Sequence, residues 1–196
     1  MSSEDDKVER IIEMSNPLSV VEVSQGRCIR EGEVRARARG VDDYVVRRSL
    51  TITCIDELNM YIASRIDNPP SMSDLITFAR SIGVTSIDAV YKYVSRLCRA
   101  GLVALKFRCG IKHRCEPVPG CPIEQVVPTQ LGYMYALATA ALSNTPTAEA
   151  LKPIAQRNGV TPTSAVFIRQ LIISEPNTAK QTIKLLLANK QGNVKT

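Results

Sequence analysis

Cysteine and histidine residues cluster in the middle of the chain, at Cys109, His113, Cys115 and Cys121. Thiolates and imidazoles are ligands that zinc prefers in proteins. The cluster is therefore a candidate zinc site, although the paired Cys-x-x-Cys spacing is absent. A disulfide from Cys121 to either Cys109 or Cys115 is an alternative, and free thiols are a third. We expect the remaining cysteines to be small core residues: Cys28, Cys54 and Cys98.

Other catalytic chemistry has little support in the sequence. The chain of 196 residues has one histidine and no tryptophan, and general acid–base catalysis relies most often on histidine. We find no Gly-rich phosphate loop, nucleophile elbow or pair of carboxylates. We therefore expect no enzymatic activity and no cofactor other than the candidate zinc ion.

Residues 86–99 carry polar and basic side chains suited to DNA. Apolar residues recur there at helical spacing, at Val90, Val94 and Leu97, which predicts a helix with one buried face. Arginine and lysine bind guanine edges or phosphates, and hydroxyls at a helix start suit a phosphate. A solvated helix face is the alternative. The candidate DNA contacts in this helix and just before it are Thr85, Ser86, Lys92, Tyr93, Arg96 and Arg99.

Further basic residues lie on predicted strands before and after this helix. Residues 102–108 and 123–127 are predicted to form a hairpin with a long loop. Residues 18–55 contain stretches that alternate with period two, which predicts two or three strands, and Arg35 and Arg37 fall on one face of such a strand. These two form either a basic ribbon over DNA or a charged edge strand. The candidate contacts of the hairpin are Lys106, Arg108, Lys112 and Arg114.

The helix over residues 86–99 is the second of a predicted pair. Apolar residues at helical spacing from Met72 to Ala79 predict the first helix, and Ser71 is its expected N-cap. Gly83 suits a turn with positive φ, and Thr85 is the expected N-cap of the second helix. This order predicts a helix–turn–helix followed by a β-hairpin.

Three motifs follow one another along this part of the chain: Ala79-x-x-x-Gly83-Val84-Thr85, Arg96-Leu97-x-x-Ala100-Gly101-Leu102-Val103, and Pro128-Thr129-x-x-Gly132. In this order they resemble the winged-helix superfamily of DNA-binding domains. The last two are similar to signatures of bacterial and archaeal regulators of the MarR and PadR type. The resemblance covers roughly residues 50–142. It implies that helix 86–99 enters the major groove and that the wing, residues 102–128, contacts the flanking backbone. The long cysteine-bearing loop departs from the family pattern.

A second copy of the helix–turn–helix is indicated near the C-terminus. Residues 146–167 match residues 70–91 without a gap, so that Ala155 and Gly159 correspond to Ala79 and Gly83. Arg169 on its second helix is a further candidate DNA contact. The rival interpretation is a helical extension for dimerisation.

These observations predict a mainly α fold with small β elements. We expect an N-terminal arm and β-rich basic region over residues 1–49, a winged helix–turn–helix over 50–143, and a C-terminal helical region over 144–196 with the second helix–turn–helix. No apolar run has the length of a membrane span. The acidic, polar N-terminus is unlike a secretory signal, so a cytoplasmic location is expected.

The expected function is binding of double-stranded DNA at specific sequences, as a homodimeric transcription regulator. The net charge of +6 favours a polyanionic partner. One alternative is a winged-helix scaffold that binds proteins. The other is a plasmid or viral replication or partition protein that binds repeated DNA sites.

Overall fold

The computed structural model describes residues 28–30 and 49–192, with residues 186–192 described by their backbone alone. Within these residues the chain is mainly helical with one two-stranded antiparallel sheet, which confirms the expected mixture of elements. The predicted strands around Arg35 and Arg37 lie outside the described residues. In chain order the elements are α1 (Cys54–Ser64), α2 (Met72–Ser81), α3 (Ile87–Arg99), β1 (Val103–Phe107), β2 (Ile123–Pro128), α4 (Gln130–Leu142), α5 (Pro146–Arg157), α6 (Pro162–Ser174) and α7 (Pro176–Gly192).

Hydroxyl side chains begin the first helices. At α2, Ser71 accepts a hydrogen bond from the Asp74 amide, and the Asp74 carboxylate accepts from the Ser71 amide at 3.0 Å. Each side chain thereby satisfies an amide that the helix leaves free. The prediction of Thr85 as the N-cap of α3 is wrong by one position, because Ser86 accepts from the Ala89 amide. Adjacent hydroxyl residues can both cap a helix, so composition does not distinguish them.

The two predicted turns have the same local geometry. Gly83 between α2 and α3 and Gly159 between α5 and α6 have φ values of 94° and 74°, which favour glycine. The amide after each glycine donates to the carbonyl oxygen of an alanine four residues before the glycine, over 2.8 Å to Ala79 and 2.9 Å to Ala155. Both alanines are buried. The helices α5 and α6 are therefore separate, and no continuous helix runs through Gly159.

Helix α4 lies at the centre of the helical packing and contacts α1, α5 and α6. Its N-cap, Thr129, donates to the Gly101 carbonyl oxygen at 2.6 Å. A Cβ on Gly132 would overlap the backbone of Leu102, so this glycine permits the close approach of α4 to the start of β1. No helix in the described part of the chain is long and apolar enough to cross a bilayer.

The hairpin forms close to the predicted bounds. Strands β1 and β2 pair with Val103 opposite Pro128 and Leu105 opposite Val126. Inward residues of β1 are buried and the alternate ones are exposed, which places Lys106 in solvent. The amide of Val126 donates to the Pro70 carbonyl oxygen over 2.9 Å, and this bond ties the hairpin to the start of α2.

All six cysteines form disulfides, between Cys28 and Cys54, Cys98 and Cys115, and Cys109 and Cys121. Of the two pairings considered for Cys121, the one with Cys109 is confirmed and the one with Cys115 is wrong. The expectation that the other three cysteines are small core residues is confirmed for Cys54, which is buried, whereas Cys28 and Cys98 are half-buried. All three are in disulfides, which the sequence did not indicate. Cys28 lies 4.9 Å from Cys54 and Cys98 lies 5.4 Å from Cys115 between Cα atoms. The distance that permits a disulfide is a property of the fold and not of spacing in the sequence.

Candidate nucleic-acid interface

Six of the thirteen predicted DNA contacts lie on the outward face of α3, at the edges of that face, or just before the helix. Each residue turns an α-helix by about 100°, and Val90, Val94 and Leu97 face the core. On the opposite side the exposed residues include Lys92 and Arg99. Tyr93 and Arg96 are half-buried at the edges of this face, and Thr85 and Ser86 are exposed where the helix begins.

The loop between the two strands, residues 108–122, lies beside α3 and is called the hairpin loop. The disulfide of Cys109 and Cys121 closes its base, and the disulfide of Cys98 and Cys115 joins it to the last turn of α3. The hairpin loop therefore has two covalent anchors. His113 adopts a φ of 60° within it, a conformation uncommon for residues other than glycine.

The anchored hairpin loop brings its basic residues to the C-terminal end of α3. Cys98 Sγ lies 3.6 Å from the Arg114 carbonyl oxygen, and Arg99 lies 3.8 Å from Glu116. Because both members of that pair are largely exposed, the contact contributes little to stability and leaves Arg99 available to a phosphate. The hairpin residues predicted to contact DNA are all exposed: Lys106, Arg108, Lys112 and Arg114.

A groove of about 720 Å³ separates α3 from the hairpin loop. We call it the hairpin groove. It is lined on the helix by Asp88, Lys92 and Arg99, among others, and on the hairpin by Glu116. Its charge is therefore mixed.

A second groove, of about 730 Å³, lies on the other side of the outward face of α3. Residues 28–30, which we call the strap, form one wall of this strap groove. The Cys54 amide donates to the Ile29 carbonyl oxygen over 3.1 Å, and the disulfide of Cys28 holds the strap to the start of α1. The opposite wall includes Ser86 and Tyr93 of the α3 region.

Arg30 of the strap is an exposed cation that sequence reasoning missed. It lines the strap groove, and it makes no salt bridge with any described residue. It lies outside the stretch that resembles a winged helix, and the pairing of Cys28 with Cys54, together with the hydrogen bond from the Cys54 amide to Ile29, holds it close to α3. The signal that could have found it is therefore the cysteine pairing.

The prediction that Arg169 contacts DNA is wrong. Its side chain is fully buried and lies 3.2 Å from the Asp56 carboxylate. It also donates to the Tyr135 hydroxyl at 3.0 Å and to the Thr51 carbonyl oxygen at 3.1 Å. A buried charge needs such partners, and Arg169 supplies the positive charge of a core ion pair between α6 and α1.

The C-terminal helix pair lacks the cations of the first. If the offset of the match is extended beyond residue 167, the positions of Lys92, Arg96 and Arg99 correspond to Ile168, Ile172 and Glu175 in α6 and the residue after it. Ile172 is buried. Of the helices α3 and α6, only α3 therefore has a basic face.

The candidate zinc ligands do not converge in this structure. The sulfurs of Cys109, Cys115 and Cys121 are used in disulfides, so that His113 has no neighbouring thiolate with which to share a metal. Among the residues that the structure describes, no group of three or more His, Cys, Asp or Glu side chains is arranged to hold one.

No family model, curated protein or solved structure matches this chain.

Proposed function

We propose that this protein binds double-stranded DNA through a winged helix, with α3 in the major groove and the hairpin against the flanking backbone. The observation that carries the proposal is the disulfide between Cys98 and Cys115. It holds the basic hairpin loop beside the basic face of α3, and the two sets of cations thereby form one surface. Residues 73–126 contain eight Lys or Arg against four acidic residues, a balance that attracts phosphates.

The order α1, α2, α3, β1 and β2 supports this reading, because helix–turn–helix domains place their second helix of the pair in the groove. Helices α4, α5 and α6 form a second unit of the same order without a hairpin. The N-caps Thr53 and Thr129 begin α1 and α4 at corresponding positions. We infer a tandem arrangement in which the first unit contacts DNA and the second packs against it.

The biological role that fits such a protein is regulation of transcription. One DNA-reading unit per chain covers a short half-site, and a homodimer on a two-fold symmetric site would supply the second half. A replication or partition protein on repeated sites would use the same surface, and the identity of the bound sequence separates the two roles.

The test is a salt titration of binding to random duplex DNA, in which fluorescence anisotropy measures the binding. If four to six phosphates are neutralised, the slope of log K against log[salt] is roughly −4 to −5. The double variant Lys92→Gln with Arg99→Gln should flatten the slope by about 1 to 2 and weaken binding.

The matched control is Lys152→Gln with Arg157→Gln on α5. It removes the same charge, and Lys152 has an acidic partner in Glu149, as Arg99 has in Glu116. This control should retain the wild-type slope. An absence of binding by the wild type even at low salt would refute the proposal.

One observation favours a second candidate, a scaffold that binds proteins. The hairpin groove has apolar lining from Tyr91, Val118 and Ile123 beside its mixed charges. Such a lining suits a peptide better than a phosphate. A variant that loses its affinity for DNA but keeps its affinity for a peptide would separate the two candidates.

A further inference from the structure

We propose that the strap groove is a second site for the DNA backbone, in which Arg30 binds a phosphate of the strand opposite the one bound by the hairpin. This inference rests on the proposed function. It adds a contact segment, residues 28–30, that lies before the stretch of residues 50–142 that resembles a winged helix.

The strap is fixed immediately before Arg30. A disulfide joins Cys28 to Cys54. The Ile29 carbonyl oxygen accepts a hydrogen bond from the Cys54 amide over 3.1 Å, and Ile29 pairs with Thr53 in a parallel β-bridge. The Cys28 Sγ also lies 3.4 Å from the Ile82 carbonyl oxygen in the turn before α3. A segment whose backbone is fixed before the ligand binds loses less conformational entropy on binding. Arg30, which follows directly after this fixed backbone, is therefore well placed to bind a phosphate.

The lining of the strap groove suits a phosphate. It combines the Arg30 side chain with the hydroxyls of Thr85, Ser86 and Tyr93, which are residue types that commonly bind DNA phosphates. None of the described residues that line it is acidic. Asp88, the acidic residue in the first turn of α3, lines the hairpin groove instead.

The position of the strap groove matches the shape of a duplex. At about 100° per residue, Ser86, Ala89 and Tyr93 form one stripe along α3, and Tyr91 and Ser95 form another. The outward face, which includes Lys92, lies between these stripes. A helix in the major groove has a phosphate backbone on each side, so the hairpin faces one backbone and the strap faces the other.

The experiment measures the affinity of the full chain for random duplex DNA across a salt series. Arg30→Ala should weaken binding for all sequences and reduce the magnitude of the salt slope by about 1, the effect of losing one phosphate contact. Arg157→Ala, an exposed arginine on α5, is the control and should change neither quantity.

A double-mutant cycle tests the role of the disulfide. In a Cys28→Ser, Cys54→Ser background, whose folding is checked by circular dichroism, Arg30→Ala should have a smaller effect than in the wild type, because the strap no longer holds the cation in place. The inference is overturned if Arg30→Ala leaves the slope and affinity of a DNA-binding wild type unchanged. It is also overturned if its effect is equal in both backgrounds. Failure of the wild type to bind any duplex overturns the proposed function itself.

Discussion

Two adjacent carboxylates at the start of α1 have different partners. Asp56 is buried against Arg169, and its Oδ2 accepts hydrogen bonds from the Thr53 amide and hydroxyl at 2.8 and 2.9 Å. Glu57 is 2% exposed, and its Oε2 accepts one hydrogen bond, from the Thr145 hydroxyl at 3.3 Å. Burial, opposed by that hydrogen bond and assisted by the charge of Asp56, raises the pKa of Glu57 from 4.5 to about 7. A charged Glu57 therefore destabilises the fold.

This pKa predicts a stability that depends on pH. Because the folded pKa of Glu57 exceeds the unfolded value, its contribution is fully present below about pH 4.5 and is lost as the pH rises through about 7. Glu57→Gln keeps an acceptor for Thr145 and removes the charge. At pH 8 the variant should be more stable than the wild type by up to about 3 kcal/mol, and at pH 5 the gap should be much smaller.

Urea denaturation at both pH values measures this difference. The control is Glu175→Gln at an exposed position, which should show no change in the gap between the two pH values. Equal stability of the wild type and Glu57→Gln at pH 8 would contradict the assigned cause.

The sequence predicts whether a residue is exposed only where the exposure depends on the single helix or strand that contains the residue. The helical spacing around Val90 and Val94 is enough to place Lys92 on the exposed face. The same reasoning fails for Arg169, because the spacing within α6 does not show that α1 presents the Asp56 carboxylate to it. The missing quantity is the position of a helix more than 100 residues away.

At the scale of elements, the helix pairs and the hairpin were predicted to within a few residues. Their signals are local, such as apolar spacing, a hydroxyl cap and a glycine in a turn. Of the three disulfides, only the one between Cys109 and Cys121 was among the alternatives that the sequence indicated, and it closes a single loop. The other two pairings join different elements, and their geometry depends on how those elements pack.

The disulfide of Cys98 and Cys115 should control the hairpin loop. Cys98→Ser with Cys115→Ser should leave the helical content unchanged and should increase amide hydrogen exchange in residues 108–122. The expected loss of stability is about 3 kcal/mol, since the bond closes a loop with a sequence separation of 17. Affinity for DNA should fall, because the loop cations are no longer held beside Arg99.

The pair Cys28→Ser with Cys54→Ser provides the comparison. It removes a disulfide from the strap and should leave exchange in residues 108–122 as in the wild type. If exchange in that segment rises equally in both variants, the second anchor of the hairpin loop is not the bond to Cys98.

At the scale of the whole molecule, the proposed tandem arrangement implies two units of similar order with different surfaces. Thr53 and Thr129 begin the first helix of each unit, and α4 packs against helices of both. The match between residues 70–91 and 146–167 predicted the common turn. The proposed division of roles between the two units was not predicted from the sequence, because it depends on which faces of α3 and α6 are covered in the packed structure.

Matched substitutions in the two turns test this division. Ala79 and Ala155 are each 1% exposed, and the carbonyl oxygen of each accepts a hydrogen bond from an amide in the turn of its own helix pair, from Val84 and Val160 respectively. A leucine at either position forces the paired helices apart and should cost about 1–3 kcal/mol of stability. Both variants should therefore unfold at lower urea concentration by similar amounts.

Their effects on DNA binding should differ. Ala79→Leu shifts α2 against α3, the helix that carries Lys92 and Arg99, so affinity for DNA should fall and the salt slope should flatten. Ala155→Leu shifts α5 against α6, which has Ile168 and Ile172 where α3 has Lys92 and Arg96, and binding should be retained while the variant remains folded. Fluorescence anisotropy at low salt and without urea measures the affinity for DNA, and urea denaturation curves of the same samples measure the stability. Equal loss of binding in the two variants would show that the second unit also contacts DNA.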